Sequence, residues 1–94
     1  MTCKVILVGY EKGGVGKTAT AINIATALAK ERYKGKTDRI LIVDADKQAT
    51  LYRWNQRREE NDDTEAFPCI CLLLKINKEV NRQRENYDYI IIDA

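Results

Sequence analysis

Apolar positions along the chain alternate between short continuous runs and stripes of helical period. Val5-Ile-Leu-Val8 is a run of mostly branched residues bounded by Gly9, the pattern of a strand buried on both faces. From Lys17 the period turns helical. Ala21, Ile22, Ala25, Leu28 and Ala29 fall at i, i+3, i+4 spacing, and Lys30, Glu31, Arg32 and then Gly35 mark the stop. Arg39 to Asp44 reads as a second buried strand. Ala49 to about Glu60 reads as a polar helix with Leu51, Trp54 and Tyr52 inward, Trp54 as a core residue, and Asn61 to Thr64 as a turn. Pro68 precedes a third strand, Cys69 to about Leu73. A weak helix from about Ile76 to Glu85 then leads into a fourth strand, Tyr89 to Asp93.

This β-α-β-α-β-α-β order predicts an α/β fold, a parallel β-sheet flanked by helices. Ninety-four residues suffice for one domain with a modest core, so residues 1–94 are read as a single unit. Nothing after Asp93 is available to cover the last strand. The chain therefore reads as the first part of a larger domain, cut short after that strand. Val5 to Val8 and Tyr89 to Ile92 are expected to leave an edge unpaired and to promote self-association.

Composition removes several classes of function. Sixteen basic against fourteen acidic residues give a net charge of +2, too balanced for a nucleic-acid footprint. The local excess from Lys30 to Arg39 is broken by Glu31 and Asp38 and reads as a solvated helix end and turn. No apolar run approaches the roughly 18 residues of a membrane span, and no charged leader precedes a long apolar stretch. A cytoplasmic, non-membrane protein is expected. Cys3, Cys69 and Cys71, with no histidine and no CxxC spacing, fit buried thiols in a reducing compartment better than a disulfide framework or a zinc site.

The chemistry concentrates after the first strand, at Gly9-Tyr-Glu-Lys-Gly-Gly-Val-Gly-Lys-Thr18. Glycines let backbone N–H groups approach phosphate oxygens without Cβ clashes, and the following helix presents its positive end to the same anion. Lys17 can reach β- and γ-phosphates, and Thr18 can offer its hydroxyl to Mg²⁺. Glu11 stands where the common phosphate-loop pattern has glycine, so the match is to Lys-Gly-Gly-x-Gly-Lys-Thr. The Lys-Thr pair favours a nucleoside triphosphate over a dinucleotide. Asp44 and Asp93 end the second and fourth strands. In a parallel sheet those ends face the crevice that holds the phosphate loop.

Lys12-Gly-Gly-Val-Gly-Lys-Thr18, with Ala21-Ile-Asn-Ile-Ala25 behind it, resembles the deviant Walker A motif of the ParA and MinD ATPases. Ile42-Val-Asp-Ala-Asp-Lys-Gln48 is similar to that family's second motif, and Tyr89-Ile-Ile-Ile-Asp93 to its Walker B strand. The likeness is greatest to ParA-type partition proteins. It runs along nearly the whole chain and covers the N-terminal part of the family's P-loop NTPase domain. It implies ATP and Mg²⁺ as cofactors, with Gly13, Gly14, Val15, Gly16, Lys17, Thr18 and Ala19 around the nucleotide. Thr18, Asp44 and Asp93 would serve the metal, the aspartates through water. Asp46 falls where the family's water-orienting aspartate sits, and Lys12 would cross a dimer interface to the partner's ATP.

The resemblance further implies slow ATP hydrolysis, a homodimer formed on ATP binding, a ParB-type partner protein, and plasmid or chromosome partition. Nonspecific DNA binding in the family uses later residues that have no counterpart in this sequence. The alternatives are a catalytically incomplete nucleotide-binding or interaction fragment, or a MinD-like ATPase that positions cargo or the division site. Two departures bear on the site. Ala19 replaces a second threonine, removing one hydroxyl, and Lys47 replaces proline after Asp46, where it can pair with that aspartate.

Overall fold

The computed structural model describes residues 2–9 and 16–94. The elements are β1 (Lys4–Val8), α1 (Lys17–Tyr33), β2 (Ile40–Asp44), α2 (Thr50–Glu60), β3 (Cys69–Cys71), α3 (Ile76–Gln83) and β4 (Tyr89–Asp93). The alternating order is as predicted, with β3 and α3 each two residues shorter at the C-terminal end. The four strands form one parallel sheet in the order β1-β4-β2-β3.

Strand period 2 sorts the side chains onto two faces. Ile40, Ile42, Tyr89 and Ile91 meet α1 and α2 on one face, with Ala21, Ala25, Ala29, Leu51 and Phe67 completing that core. The three alanines lie one helical turn apart and are almost wholly buried, so α1 approaches the sheet closely. Leu41, Val43, Ile90 and Ile92 meet Val80 of α3 on the opposite face. Trp54 is half-buried against the first core, stacked on Phe67 with ring centroids 5.9 Å apart. Tyr52 points outward, at the exposed side of α2.

The sheet order corrects two expectations. β4 is not the uncovered strand: it lies between β1 and β2 and is buried along its whole length. β1 is not buried on both faces: it is an edge, and Leu7 is 63% exposed. A continuous apolar run reports what a strand can tolerate on its faces and says nothing of its neighbours, which the crossovers decide. The thiols also separate. Cys3 is buried, whereas Cys69 is half-buried and Cys71 exposed on the other edge strand. Burial, then the neighbouring Cys71 and Asp44, push the Cys69 thiol up to about 12, which leaves it protonated and inert.

α1 ends where the chain turns left-handed at Lys34 (φ 55°) and Gly35 (φ 88°), and the Gly35 N–H reaches back to the Ala29 carbonyl at 2.8 Å. The basic tract beyond it is only partly solvated. Arg39 joins Asp88 in an ion pair of 2.9 Å, and the Tyr33 hydroxyl donates to the same carboxylate at 2.7 Å. This cluster ties α1 to the N-terminal ends of β2 and β4, at the opposite end of the sheet from Lys17 and Thr18.

Candidate nucleotide site

Three strands deliver their last residues to one level of the sheet. Val8, Asp93 and Asp44 are register partners across β1, β4 and β2. Asp93 shares a face with Tyr89 and Ile91, and Asp44 with Ile40 and Ile42, so both aspartates belong to the α1–α2 side. Gly16, in the left-handed region at φ 99°, caps α1, and Lys17 and Thr18 open the helix beside those strand ends. Lys12, Gly13, Gly14 and Val15 of the expected site, with Tyr10 and Glu11, lie outside the described residues.

Lys17 is the hub. Its ammonium donates to Asp46 Oδ2 at 2.8 Å and to the carbonyl of Ala94, and stands 2.9 Å from Asp93 Oδ1. The Thr18 hydroxyl donates to the other Asp93 oxygen at 2.8 Å. Only 8% of the Lys17 side chain is exposed and none of Asp93. Burial pulls the ammonium's pKa down, but the hydrogen bonds and charges of Asp46 and Asp93 outweigh it, and the net shift is upward. Lys17 is therefore a permanent cation. Asp46 is held below the usual carboxylate range, first by the Lys17 hydrogen bond and then by the Gln48 N–H. Its ion partner is Lys17; Lys47, expected as a partner, is exposed and makes no ion pair with it among the described residues.

Asp44 is occupied otherwise. One of its oxygens accepts the Asp46 N–H at 3.0 Å and the other the Tyr52 N–H at 2.9 Å. Its carboxylate thus fastens the β2–α2 loop at both ends and caps the first turn of α2. Ala19 sits exposed in the first turn of α1, its N–H near the helix end that would face a phosphate.

The donor set suits Mg²⁺. Among the described residues no three His, Cys, Asp or Glu side chains cluster to hold a metal, and Mg²⁺ needs few protein ligands because it keeps most of its waters. Thr18 and Asp93 put a hydroxyl and a carboxylate side by side. Asp93 Oδ1, fully buried, faces the Lys17 ammonium as an ion-pair contact but accepts no properly directed hydrogen bond. That is a buried oxygen with capacity for one more donor or a metal-bound water.

Sequence reasoning missed three contributors: the Ala94 carbonyl on Lys17, the Tyr52 N–H on Asp44 and the Gln48 N–H on Asp46. All are main-chain groups, and no side-chain pattern announces them.

A family described as an AAA domain matches residues 3–67. Soj, the sporulation initiation inhibitor of Bacillus subtilis, is 30% identical across 97% of this chain and 49% of its own length. The chromosome partitioning protein ParA of Caulobacter vibrioides is 49% identical over 45 residues, which are 48% of this chain and 15% of ParA. The maintenance of carboxysome distribution protein A of Gloeobacter kilaueensis is 46% identical over 54 residues, 57% of this chain and 22% of that protein. The chain thus spans about half the length, or less, of the curated relatives it matches. No solved structure matches it. With the phosphate-loop lysine and threonine, the second-motif aspartates and the Walker B aspartate gathered at one end of a parallel sheet, the chain belongs to the ParA/MinD-type P-loop ATPases.

Proposed function

We propose that this chain binds ATP with Mg²⁺ and hydrolyses it slowly, as a nucleotide-dependent dimer in a partition system. The observation that carries the reading is the attachment of Lys17 and Thr18, consecutive in sequence, to the two oxygens of Asp93. Residues 13–19 would surround the phosphates, with Lys17 on the β/γ oxygens. Thr18 and Asp93, the latter through water, would hold Mg²⁺, which when bound neutralises phosphoryl charge.

Asp46 would orient the attacking water, since it is partly exposed, ionised and adjacent to the phosphate lysine. Asp44 positions that residue by fixing its loop, and the lone pairs left on its oxygens are those that would meet a metal-bound water. Lys12 would supply positive charge to the partner's ATP, so that turnover waits on dimer formation. The residues are consistent with one P-loop domain whose remaining part, in proteins of the relatives' length, would contribute the base pocket and any DNA contacts. A ParB-type partner and a cytoplasmic setting belong to the same proposal, supported by the resemblance to ParA-type partition proteins. Among the described residues no helix is long and apolar enough to cross a membrane.

A second reading of the same motifs is a nucleotide-binding module that does not turn over alone. A third, cargo positioning, rests on the 46% identity to the carboxysome distribution protein.

Calorimetry with ATP and Mg²⁺, combined with light scattering, tests these readings. Lys17-dependent binding with a rise to dimer mass is the expected result. Lys12→Ala is expected to spare binding while lowering hydrolysis and dimer formation. Equal loss of binding in Lys12→Ala and Lys17→Ala would refute the role of Lys12 in trans, and binding without turnover would favour the module.

A further inference from the structure

We propose that Asp46 is a lock on the phosphate lysine: nucleotide enters only as the Lys17–Asp46 pair parts, so the residue assigned to the attacking water also restrains binding. The inference rests on the nucleotide reading above and adds a competing internal ligand to it.

An ammonium has three N–H donors. In Lys17 two are hydrogen-bonded, to Asp46 Oδ2 and to the Ala94 main-chain oxygen, and the ammonium also stands 2.9 Å from Asp93 Oδ1 as an ion-pair contact. A phosphate oxygen that draws the cation away competes with all three of these contacts. The three are not equally easy to displace. Asp93 is fully buried and bound to Thr18 through its other oxygen, and leaving it unpaired there is costly. The Ala94 carbonyl belongs to the backbone at the end of β4, which is fastened on both sides by Ala45 N–H to Asp93 and Ala94 N–H to Val8. Asp46 is different. Its side chain is 32% exposed and sits on the β2–α2 loop, so water can replace Lys17 around its carboxylate.

Charge makes the displacement necessary. Among the described residues two side-chain carboxylates, Asp46 and Asp93, surround the one ammonium meant to attract a polyphosphate. Withdrawal of Asp46 restores a balanced pair of Lys17 and Asp93. The same movement frees the Asp46 carboxylate, so one event prepares both the cation for phosphate and the carboxylate for water. A ligand that must break an internal contact loses affinity by the cost of breaking it.

The test is ADP binding without Mg²⁺, measured by calorimetry on the full chain, its Asp46→Asn and Asp46→Ala variants, and Lys17→Ala. Release of the lock is expected to tighten ADP binding about tenfold in Asp46→Asn, and by more in Asp46→Ala. Simple repulsion between Asp46 and phosphate would also tighten binding, but salt would screen it, so binding is measured at about 0.1 M and about 0.5 M NaCl. A gain that persists at high salt supports the lock. An unchanged affinity, a weaker one, or a gain confined to low salt overturns it, while Lys17-dependent ADP binding by the unmodified chain keeps the nucleotide reading intact. ADP binding by Asp46→Asn alone supports the lock in its tightest form. Absence of binding in both Asp46→Asn and the unmodified chain defeats the lock and the nucleotide reading together.

Discussion

Asp44 and Asp93 stand directly opposite each other, register partners at the C-terminal ends of β2 and β4, both buried. Two buried carboxylates side by side each need their own hydrogen-bond donors. Asp93 has the Lys17 ammonium and the Thr18 hydroxyl; Asp44 has the N–H groups of Asp46 and Tyr52. The adjacent strands therefore split the work: one aspartate addresses the phosphate-loop side chains, and the other holds the loop that carries Asp46.

Asp44→Ala should release that loop. Two N–H groups at a partly buried site lose a charged acceptor, which costs about 2 kcal/mol. Urea denaturation is the readout, and a midpoint within the scatter of surface substitutions would contradict the loop-fastening role.

Ala49 precedes α2 in the left-handed region, at φ 53°. A side chain there is strained, and glycine is not, although glycine is also freer in the unfolded chain. Ala49→Gly is expected to raise stability by about 0.5 kcal/mol. A fall in the denaturation midpoint would show that the loop tolerates Ala49 without strain.

The Tyr33–Asp88–Arg39 cluster should make stability depend on pH at both extremes. Arg39, and then Tyr33, hold the Asp88 carboxyl below its ordinary 3.8 by hydrogen bonding. That contribution is complete above the ordinary value and is lost as pH falls through the depressed one. Burial, and then Asp88, push the Tyr33 phenol from 10.0 up to about 12, so its contribution holds below pH 10 and fades between there and about 12. Thermal melts of Tyr33→Phe should lose the alkaline slope. Those of Asp88→Asn should flatten at the acid end. A variant that keeps the slope of the unmodified chain would rule out its residue as the cause.

Edge strand β1 carries Leu7 at 63% exposure, near Leu73 and Leu74 at 61% and 80%. An open edge with an apolar face invites pairing with another chain. The apparent mass by light scattering should rise with concentration, and Leu7→Lys should lower it towards a single chain. A mass independent of concentration in the unmodified chain would dismiss the edge as an association site.

Local pattern determined much of this protein. Element order and the stop of α1 follow from periodicity and glycine placement, because each depends on residues within a few positions of one another. The family was legible for the same reason: the motif residues that carry the resemblance, Lys17 and Thr18 among them, stand at adjacent positions. Asn55 was not. It reads as one polar residue on a polar helix, yet it is buried and exchanges two hydrogen bonds of 2.8 Å with the main chain of Phe67, pinning the entry to β3.

Only the tertiary structure decided which strands are neighbours, and with them the site. The order β1-β4-β2-β3 brings Asp93 beside Val8 and Asp44, makes β1 an edge, and buries the strand expected to be bare. Thr18 meets Asp93 across 75 positions, and Lys17 meets the Ala94 carbonyl across 77. Contacts of that separation form when crossovers dock strands into one sheet. A periodic pattern specifies which face a residue turns inward, and docking chooses the residue it meets there.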